Sequence, residues 1–263
     1  MPASSVIVLG GAGLVGSAVS RHLQSVGHMV YPVERDNYSN HIGRSVDVIV
    51  NCNGNSYRFR ANQDPRWDFE ASVATVERSL FDISAGLYIY ISSVDVYPAK
   101  HDPVQNRESC LVSPETLDTY GFHKWLAERL VEKFAKRWFI LRLGTVLGPG
   151  LKKGPLFDLT HGTPIFMSLD SKLSLIDTST IARVVEVLIE QERESSILNV
   201  TGTGSVMLRD LAKLVAARNP SFFGTQDKIY NYHVDNTKLQ SLVPVPTSFE
   251  IGRRFLQEEA GRQ

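Results

Sequence analysis

The sequence predicts an α/β fold: a doubly wound parallel sheet with helices on both faces, followed by a smaller lobe. Three observations predict it. β-branched apolar runs of strand length alternate with amphipathic stretches of helical period. The first run passes through a glycine-rich turn directly into the first helix. After Gly150 the texture changes to a looser mix of Gly, Pro and polar residues. Strand, helix, strand repeated in this way implies a parallel sheet, because each helix is the crossover that returns the chain to begin the next strand in the same direction.

Taken in order, "SVIVLG" (5–10) is continuous and β-branched, the pattern of a strand buried on both faces. "GLVGSAVSRHLQSVG" has helical periodicity and ends at Gly27, a C-terminal cap. "HMVYPVE" is the second strand and "DVIVNC" (Asp47–Cys52) the third. "DPRWDFEASVATVERSLFDIS" is a helix with Pro65 in its first turn, where a missing N–H breaks no hydrogen bond. "GLYIYISS" is the fourth strand, "SPETLDTYGFHKWLAERLVEKFAKR" one long helix, and "WFILRLG" the fifth strand. The lobe opens with "PGLKKGPLFDLTHGTPIFMSLDS". A short strand "KLSLI", a helix "TSTIARVVEVLIEQ", a strand "SSILNVTG" and the helices "MLRDLAKLVAAR" and "SFEIGRRFLQEEA" follow. With no internal repeat and no linker, the expected division is a core over residues 1–150 and a mixed segment over 151–263. That segment forms the lobe and returns a strand and helices to the core.

The bulk numbers bound the function. A chain of 263 residues can bury one large α/β core with a smaller lobe. Lys and Arg (28) balance Asp and Glu (28), which argues against a nucleic-acid or membrane-surface protein, since both usually carry excess positive charge. Two cysteines, Cys52 and Cys110, lie far apart and read as reduced thiols of a cytosolic protein. The N-terminal "MPASSVIVLGG" lacks a basic region followed by a long apolar stretch, and no apolar run approaches the ~18 residues of a membrane span. The expectation is a cytoplasmic protein.

The turn "GGAGLVG" places Gly10, Gly13 and Gly16 in G-x-x-G-x-x-G spacing between the first strand and the first helix. The first glycine permits a tight turn. The second lets a pyrophosphate approach the backbone of the helix N-terminus, formed by Gly13, Leu14 and Val15, where free N–H groups and the helix dipole favour anions. The third lets helix and strand pack closely. This is the context in which a glycine-rich turn signals a dinucleotide, and it makes the core a Rossmann-type sheet. Glu34, at the end of the second strand, stands where an acidic group would hydrogen-bond the adenine ribose hydroxyls, which favours NAD. Arg35 follows at once and would meet a 2′-phosphate, so NADP stays open; the same arginine also reads as a solvated loop residue.

Tyr120 and Lys124, in "YGFHK", form the one place where any of the nine tyrosines has a lysine four residues on. With the glycine turn, "DVIVNC", "ISSVDVYP", "LRLGTVLGPG", "ILNVTGTGSVMLRDLAKLVA" and "VDNTKLQSLVPVPTSFEIGRRF" in this order, the chain resembles the extended short-chain dehydrogenase/reductase family. These are NAD(P)-dependent epimerases, dehydratases and reductases that mostly act on nucleotide sugars. The resemblance covers almost the whole chain. It implies Tyr120 as catalytic acid/base, Lys124 as its partner and a hand on the cofactor, and Ser93, 27 residues before Tyr120, as the catalytic serine. It also implies a homodimer.

The chemistry explains these residue types. Hydride transfer at a carbon bearing oxygen must be matched by proton transfer at that oxygen. A free tyrosine has a pKa near 10, too high for a base at neutral pH, and an ammonium one helical turn away favours the phenolate. Ser93, at the C-terminal end of a parallel strand, would hydrogen-bond the reacting oxygen.

Several positions depart from the family pattern. Only "RDNYSNHIGRSV" separates Glu34 from Asp47, too short for a further strand and helix. Ser72 stands where the family usually has Asn, and Asn53 where it usually has a small alanine. Asn53 reads either as a cofactor or substrate contact or as a residue bonding loop backbone. Val94 and Asp95 replace the Asp-Glu pair that dehydratases use for water elimination, which argues against dehydration. Lys172 is a poor match for the arginine that often binds the nucleotide diphosphate.

The remaining features read as structural. "SYRFRANQDPRW" clusters Arg58, Arg60 and Arg66 with aromatics, the pattern of a solvated loop over packed rings more than of a phosphate contact. His101, His123 and His161 lack metal-ligand spacing, so no metal is expected, and His123 reads as a surface residue. Glu128, Glu132 and Lys136 read as a mixed solvated face. Two classes of function remain. One is an NAD(P)-dependent epimerase or oxidoreductase on a sugar or nucleotide sugar, a 4-keto-deoxysugar reductase being its variant. The other is a non-catalytic NAD(P)-sensing regulator, against which the intact Ser–Tyr–Lys set counts.

Overall fold

The computed structural model describes residues 3–191, 194–215 and 228–261. The chain divides into two compact units: Met1–Pro98, Glu108–Leu143 and Thr178–Leu198 form the first, and Ala99–Arg107, Gly144–Asp177 and Asn199–Gln263 the second.

The first unit is a three-layer α/β/α sandwich. Its strands are β1 (Ser5–Leu9), β2 (Met29–Val33), β3 (Ser45–Asn51), β4 (Ser84–Ser93), β5 (Trp138–Leu143) and β9 (Ser196–Val200), in the order β2-β1-β3-β4-β5-β9. The ladders from β2 through β5 are parallel. The order reverses beside β1: the chain moves out to β2 and then crosses to β3 on the other side. Open α/β sheets bind ligands at the carboxyl ends of the strands flanking such a reversal.

Side chains alternate along each strand and sort into two faces. Ile7, Leu9, Ile49, Tyr88, Tyr90 and Ile140 pack with Val76 of α4 (Thr75–Asp82) and with Ala127 and Val131 of α5 (Thr119–Phe134). Helices α1 (Leu14–Ser25) and α7 (Thr178–Glu190) pack on each other, burying Val19 and Leu23 of α1 and Ile181, Val184, Val185 and Leu188 of α7. Helix α1 ends as its sequence predicts. Gly27 is left-handed at φ +96°, its N–H reaches Gln24 O at 3.1 Å, and the N–H of His28 reaches Leu23 O at 3.0 Å, the two bonds of a Schellman cap.

Three expectations about the first unit change. Residues 58–63 of the "SYRFRANQDPRW" stretch are not a loop but a short helix, α2 (Arg58–Gln63). Its aromatics do not pack underneath, for Tyr57 is 45% and Phe59 61% exposed. The long helix expected from Ser113 to Arg137 begins only at Thr119, because the Asp118 carboxylate accepts the Gly121 N–H at 2.9 Å and caps it there. "SPET" instead forms a separate 3₁₀ turn, and the helix stops at Phe134. The helix after Asp64 starts with Pro65, as expected, but is interrupted. α3 (Pro65–Phe69) runs into a π turn at Glu70–Ala74 before α4.

In the second unit β6 (Thr145–Leu147) pairs with β8 (Leu175–Asp177), and β7 (Lys172–Leu173) with β10 (Val206–Met207). "KLSLI" is therefore two short strands in two sheets, divided at the buried Ser174. Helices α6 (Pro155–His161), α8 (Leu208–Ala212), α9 (Thr237–Gln240) and α10 (Ser248–Ala260) complete it. A capping box, Thr247 with Glu250, opens α10. The predicted helix "MLRDLAKLVAAR" shortens to α8 and a 3₁₀ turn at Lys213–Val215, and its end at Ala216–Arg218 lies outside the described residues. Asn106 ties the unit together: its amide donates to His233 O at 2.8 Å and accepts the Asp235 N–H at 2.9 Å.

Candidate active site

The glycine turn adopts the close geometry its spacing predicts. Gly10 is left-handed at φ +71°, and a Cβ at Gly16 would run into the Gly10 carbonyl oxygen. The turn is therefore a backbone packed on backbone, which only glycine allows. Gly13 is the N-cap of α1 with no side-chain cap, and no acidic residue occupies the first turn, so Leu14 and Val15 open a helix whose end favours an anion. A Cβ at Gly10 would lie 2.8 Å from Asn53 Oδ1, which places the Asn53 side chain against the turn. The Asn53 N–H also donates to Asn51 Oδ1 at 2.9 Å. Glu34 reaches back to the same turn, its Oε1 accepting the Ala12 N–H at 2.5 Å, while Arg35 is exposed.

Ser93, Tyr120 and Lys124 come together. Ser93 ends β4, and its hydroxyl lies close enough to the Tyr120 phenol to act on its proton affinity. It also accepts the Asp95 N–H at 3.1 Å. The approach of α5 to this strand end depends on Gly121, where a Cβ would collide with the Asp95 carbonyl oxygen. One turn further along α5, Lys124 is buried and donates from Nζ to Ile91 O at 3.0 Å.

The electrostatics correct one expectation. Among this chain's own groups, the Tyr120 phenol is not lowered but pushed above its usual range, first by burial and then by the Asp95 charge, with the nearby Ser93 hydroxyl opposing. Lys124 is driven down to about 8, mainly by burial, with Asp68 and then Glu128 opposing.

Several neighbours carry no signal in the sequence. Arg58 of α2 pairs with Asp118 through Nη2 at 2.5 Å and with Asp95 through Nη1 at 3.3 Å, joining the N-cap of α5 to the turn after Ser93. Two sequence readings are overturned here. His123 is not a surface residue: it is buried, with Nδ1 2.7 Å from Asp68 Oδ2. Glu128 does not belong to a solvated face; it is buried against Arg142 and Ser92, and Glu132 pairs with Arg129 instead. The Asp immediately before "TYG" was the one available signal of a helix start. The partners of a buried carboxylate were not readable from spacing.

Arg60 stacks on the Trp67 ring at 3.7 Å, and Arg66 is exposed. Lys172 lies in the second unit and is exposed. Cys52 and Cys110 are not joined in a disulfide. Among the described residues no cluster of three or more His, Cys, Asp or Glu could hold a metal ion, and no helix is long and apolar enough to cross a membrane.

No curated protein matches the chain. Solved structures share its fold over nearly its whole length. MoeE5 in complex with UDP-glucuronic acid and NAD superposes with a TM-score of 0.81 at 18% identity. A UDP-galactose 4-epimerase superposes with 0.79 at 22%. The dTDP-4-dehydrorhamnose reductase of Bacillus anthracis str. Ames, in complex with NADP, superposes with 0.78 at 17%. Each of the three alignments covers 98% of this chain and 99% of the other. The model of the NAD dependent epimerase/dehydratase family matches residues 6–168, from β1 past the Tyr-x-x-x-Lys motif and into the second unit. With more than half of its length matched, the chain belongs to the NAD dependent epimerase/dehydratase family and is an NAD(P)-dependent enzyme of the extended short-chain dehydrogenase/reductase type.

Proposed function

We propose that the protein transfers hydride at a carbinol or keto carbon of a nucleotide sugar. In this reading Tyr120 is the acid/base, Lys124 its electrostatic partner, and Ser93 the group that orients the reacting oxygen. The observation that carries the reading is the Ser93 hydroxyl set beside the Tyr120 phenol at the carboxyl end of β4, with buried Lys124 one helical turn further along α5. MoeE5, alike in fold, is bound to UDP-glucuronic acid, which supports a nucleotide sugar as the substrate class. Substrate reading is assigned to residues 151–263 and cofactor binding to residues 1–150, in a cytoplasmic enzyme.

The glycine turn fits a dinucleotide, because its packed glycines leave backbone where side chains would stand and the first turn of α1 carries no acid. Gly10, Gly13, Leu14, Val15 and Gly16 would hold the pyrophosphate, Asn53 would flank it, and Glu34 would hold the adenine ribose. Lys124 would hold the nicotinamide ribose. NAD(P) supplies the hydride acceptor and donor when bound.

The protein's own groups handle the proton. Ser93 donates to the substrate oxygen and aligns it with the phenol, and Tyr120 gives a proton to that oxygen or takes one from it. Lys124 favours the phenolate once the proton has left. Asp95 is engaged by Arg58, which supports a role in shaping the turn over one in water elimination.

The alternative within this reading is a 4-keto-deoxysugar reductase, supported by the likeness in fold to a dTDP-4-dehydrorhamnose reductase. A thermal-shift panel with NAD, NADP, UDP-glucose and UDP-glucuronic acid tests the cofactor and substrate class. Tyr120→Phe is expected to abolish turnover and keep cofactor binding, and near-normal activity in it would overturn the catalytic assignment. Cofactor that stays with the purified protein supports an epimerase, whose hydride returns to the same substrate. Freely exchanging cofactor supports the reductase.

A further inference from the structure

Lys124 is surrounded by few groups able to balance its charge. Its Nζ sits 5.1 Å from the centre of the Tyr90 ring on β4 and donates to the Ile91 carbonyl. The titratable groups acting on it are Asp68 from α3, Glu128 from the next turn of α5, and Cys52 just after β3. Glu128 is already held by Arg142 in a two-pronged pair. Burial pushes the Cys52 thiol up to about 12, so it is uncharged at neutral pH. Asp68 is the carboxylate that remains.

Asp68 is fully buried and fixed from two sides. Its Oδ2 shares a hydrogen bond with His123 Nδ1 at 2.7 Å. Its Oδ1 accepts the Ser72 hydroxyl at 3.2 Å, four residues on and across the π turn. Ser72 Oγ in turn accepts the Asn55 N–H at 3.2 Å. The loop so held presents Gly54 to the lysine: a Cβ there would lie 3.0 Å from Lys124 Nζ and 3.6 Å from Ser72 Oγ. The network thus runs from the loop after β3, through the π turn, to the residue next to Lys124.

We propose that Asp68 is a positioning residue for the Tyr120–Lys124 pair: gripped by His123 and Ser72, its carboxylate supplies the negative charge that keeps the Lys124 ammonium seated beneath Gly54. The proposal rests on the reading of Lys124 as the partner of Tyr120. Its physical basis is that burial alone expels the proton from a lysine, and a fixed carboxylate nearby counters it. Asp68 is the largest such influence on Lys124. His123 completes the device by holding that carboxylate from the same turn of α5 that carries the lysine.

The test follows the lysine itself. The full chain is labelled with ¹³C at the lysine Cε and titrated by NMR from pH 6 to 11, with the Lys124 signal identified by its loss in Lys124→Met. Wild type is expected to titrate at about 8. Asp68→Asn should lower that midpoint by about one pH unit, a tenfold loss of proton affinity. Asp68→Glu should recover more than half of the shift, which a merely structural role would not produce. Where Asp68→Asn does not fold, His123→Leu, which releases Oδ2, should lower the midpoint in the same direction by a smaller amount. An unmoved midpoint in either folded variant overturns the role of Asp68. Retained turnover in Tyr120→Phe would instead overturn the catalytic reading and leave this titration as it is.

Discussion

Glu128 and Arg142 form a two-pronged ion pair in the interior of the first unit. Arg142 Nη2 donates to Glu128 Oε2 at 2.6 Å and Nε to Oε1 at 3.0 Å, with Glu128 0% and Arg142 1% exposed. Glu128 also accepts the hydroxyl of Ser92 at 2.6 Å, so the pair fastens α5 to the strand end that carries Ser93. Such a pair is paid for in desolvation, and removing one partner strands a buried charge. Arg142→Leu is therefore expected to lose about 3–5 kcal/mol in urea unfolding. Replacing both residues by leucine should recover most of that loss. A single variant within about 1 kcal/mol of wild type would show that water reaches Glu128.

Gly16 and Gly13 make a graded test of the turn. A Cβ at Gly16 meets the Gly10 carbonyl head-on, whereas one at Gly13 lies 3.2 Å from the same oxygen. Backbone cannot step aside as a side chain can, so Gly16→Ala should weaken cofactor binding by at least about tenfold, or 1.4 kcal/mol, and lower the melting temperature. Gly13→Ala should do less of both. Calorimetric titration with NAD checks the order, and equal effects would contradict the packing argument.

Both the glycine turn and the Tyr120–Lys124 motif were legible because each is local. A tight turn needs glycine at fixed offsets, and one helical turn spaces a tyrosine from its lysine. The strands of the sheet were legible for the same reason, being continuous apolar runs. What the sequence hid was set by partners far along the chain. Residues 58–63 are helical although six residues give no period to read, and they are held by the pairs of Arg58 with Asp95 and Asp118. His123 and Glu128 look like surface residues because their partners, Asp68 and Arg142, stand 55 and 14 residues away. The start of α5 at Thr119 was readable from Asp118, an N-cap residue just before the helix, but helical periodicity alone extended the helix past it.

Glu34 tests the choice of cofactor. Its carboxylate is fixed on the Ala12 N–H at the end of β2, where it would repel a 2′-phosphate and accept from ribose hydroxyls. Glu34→Gln keeps the acceptor and removes the charge. The ratio of Kd for NADP to Kd for NAD is expected to fall about tenfold in that variant, read by titration at fixed ionic strength. If the ratio does not move, the charge of Glu34 has no part in selection.

Lys124 makes the protein's stability depend on pH in a direction opposite to that of an ordinary ion pair. Its pKa falls from 10.5 to about 8 in the folded chain, mainly through burial. Between those values the unfolded chain binds the proton and the folded chain does not, so folding is favoured as pH rises. Below the folded value both states are protonated and the whole penalty of a buried ammonium is present. Lys124→Met has no such group. The stability of wild type minus that of Lys124→Met should therefore climb by roughly 3 kcal/mol between pH 7.5 and 10.5, one pKa unit being about 1.4 kcal/mol. Urea unfolding of both proteins at the two pH values measures the difference. A flat or falling difference would mean that Lys124 keeps its ordinary affinity for the proton. A climb would show that the fold accepts an unfavourable charge at Lys124.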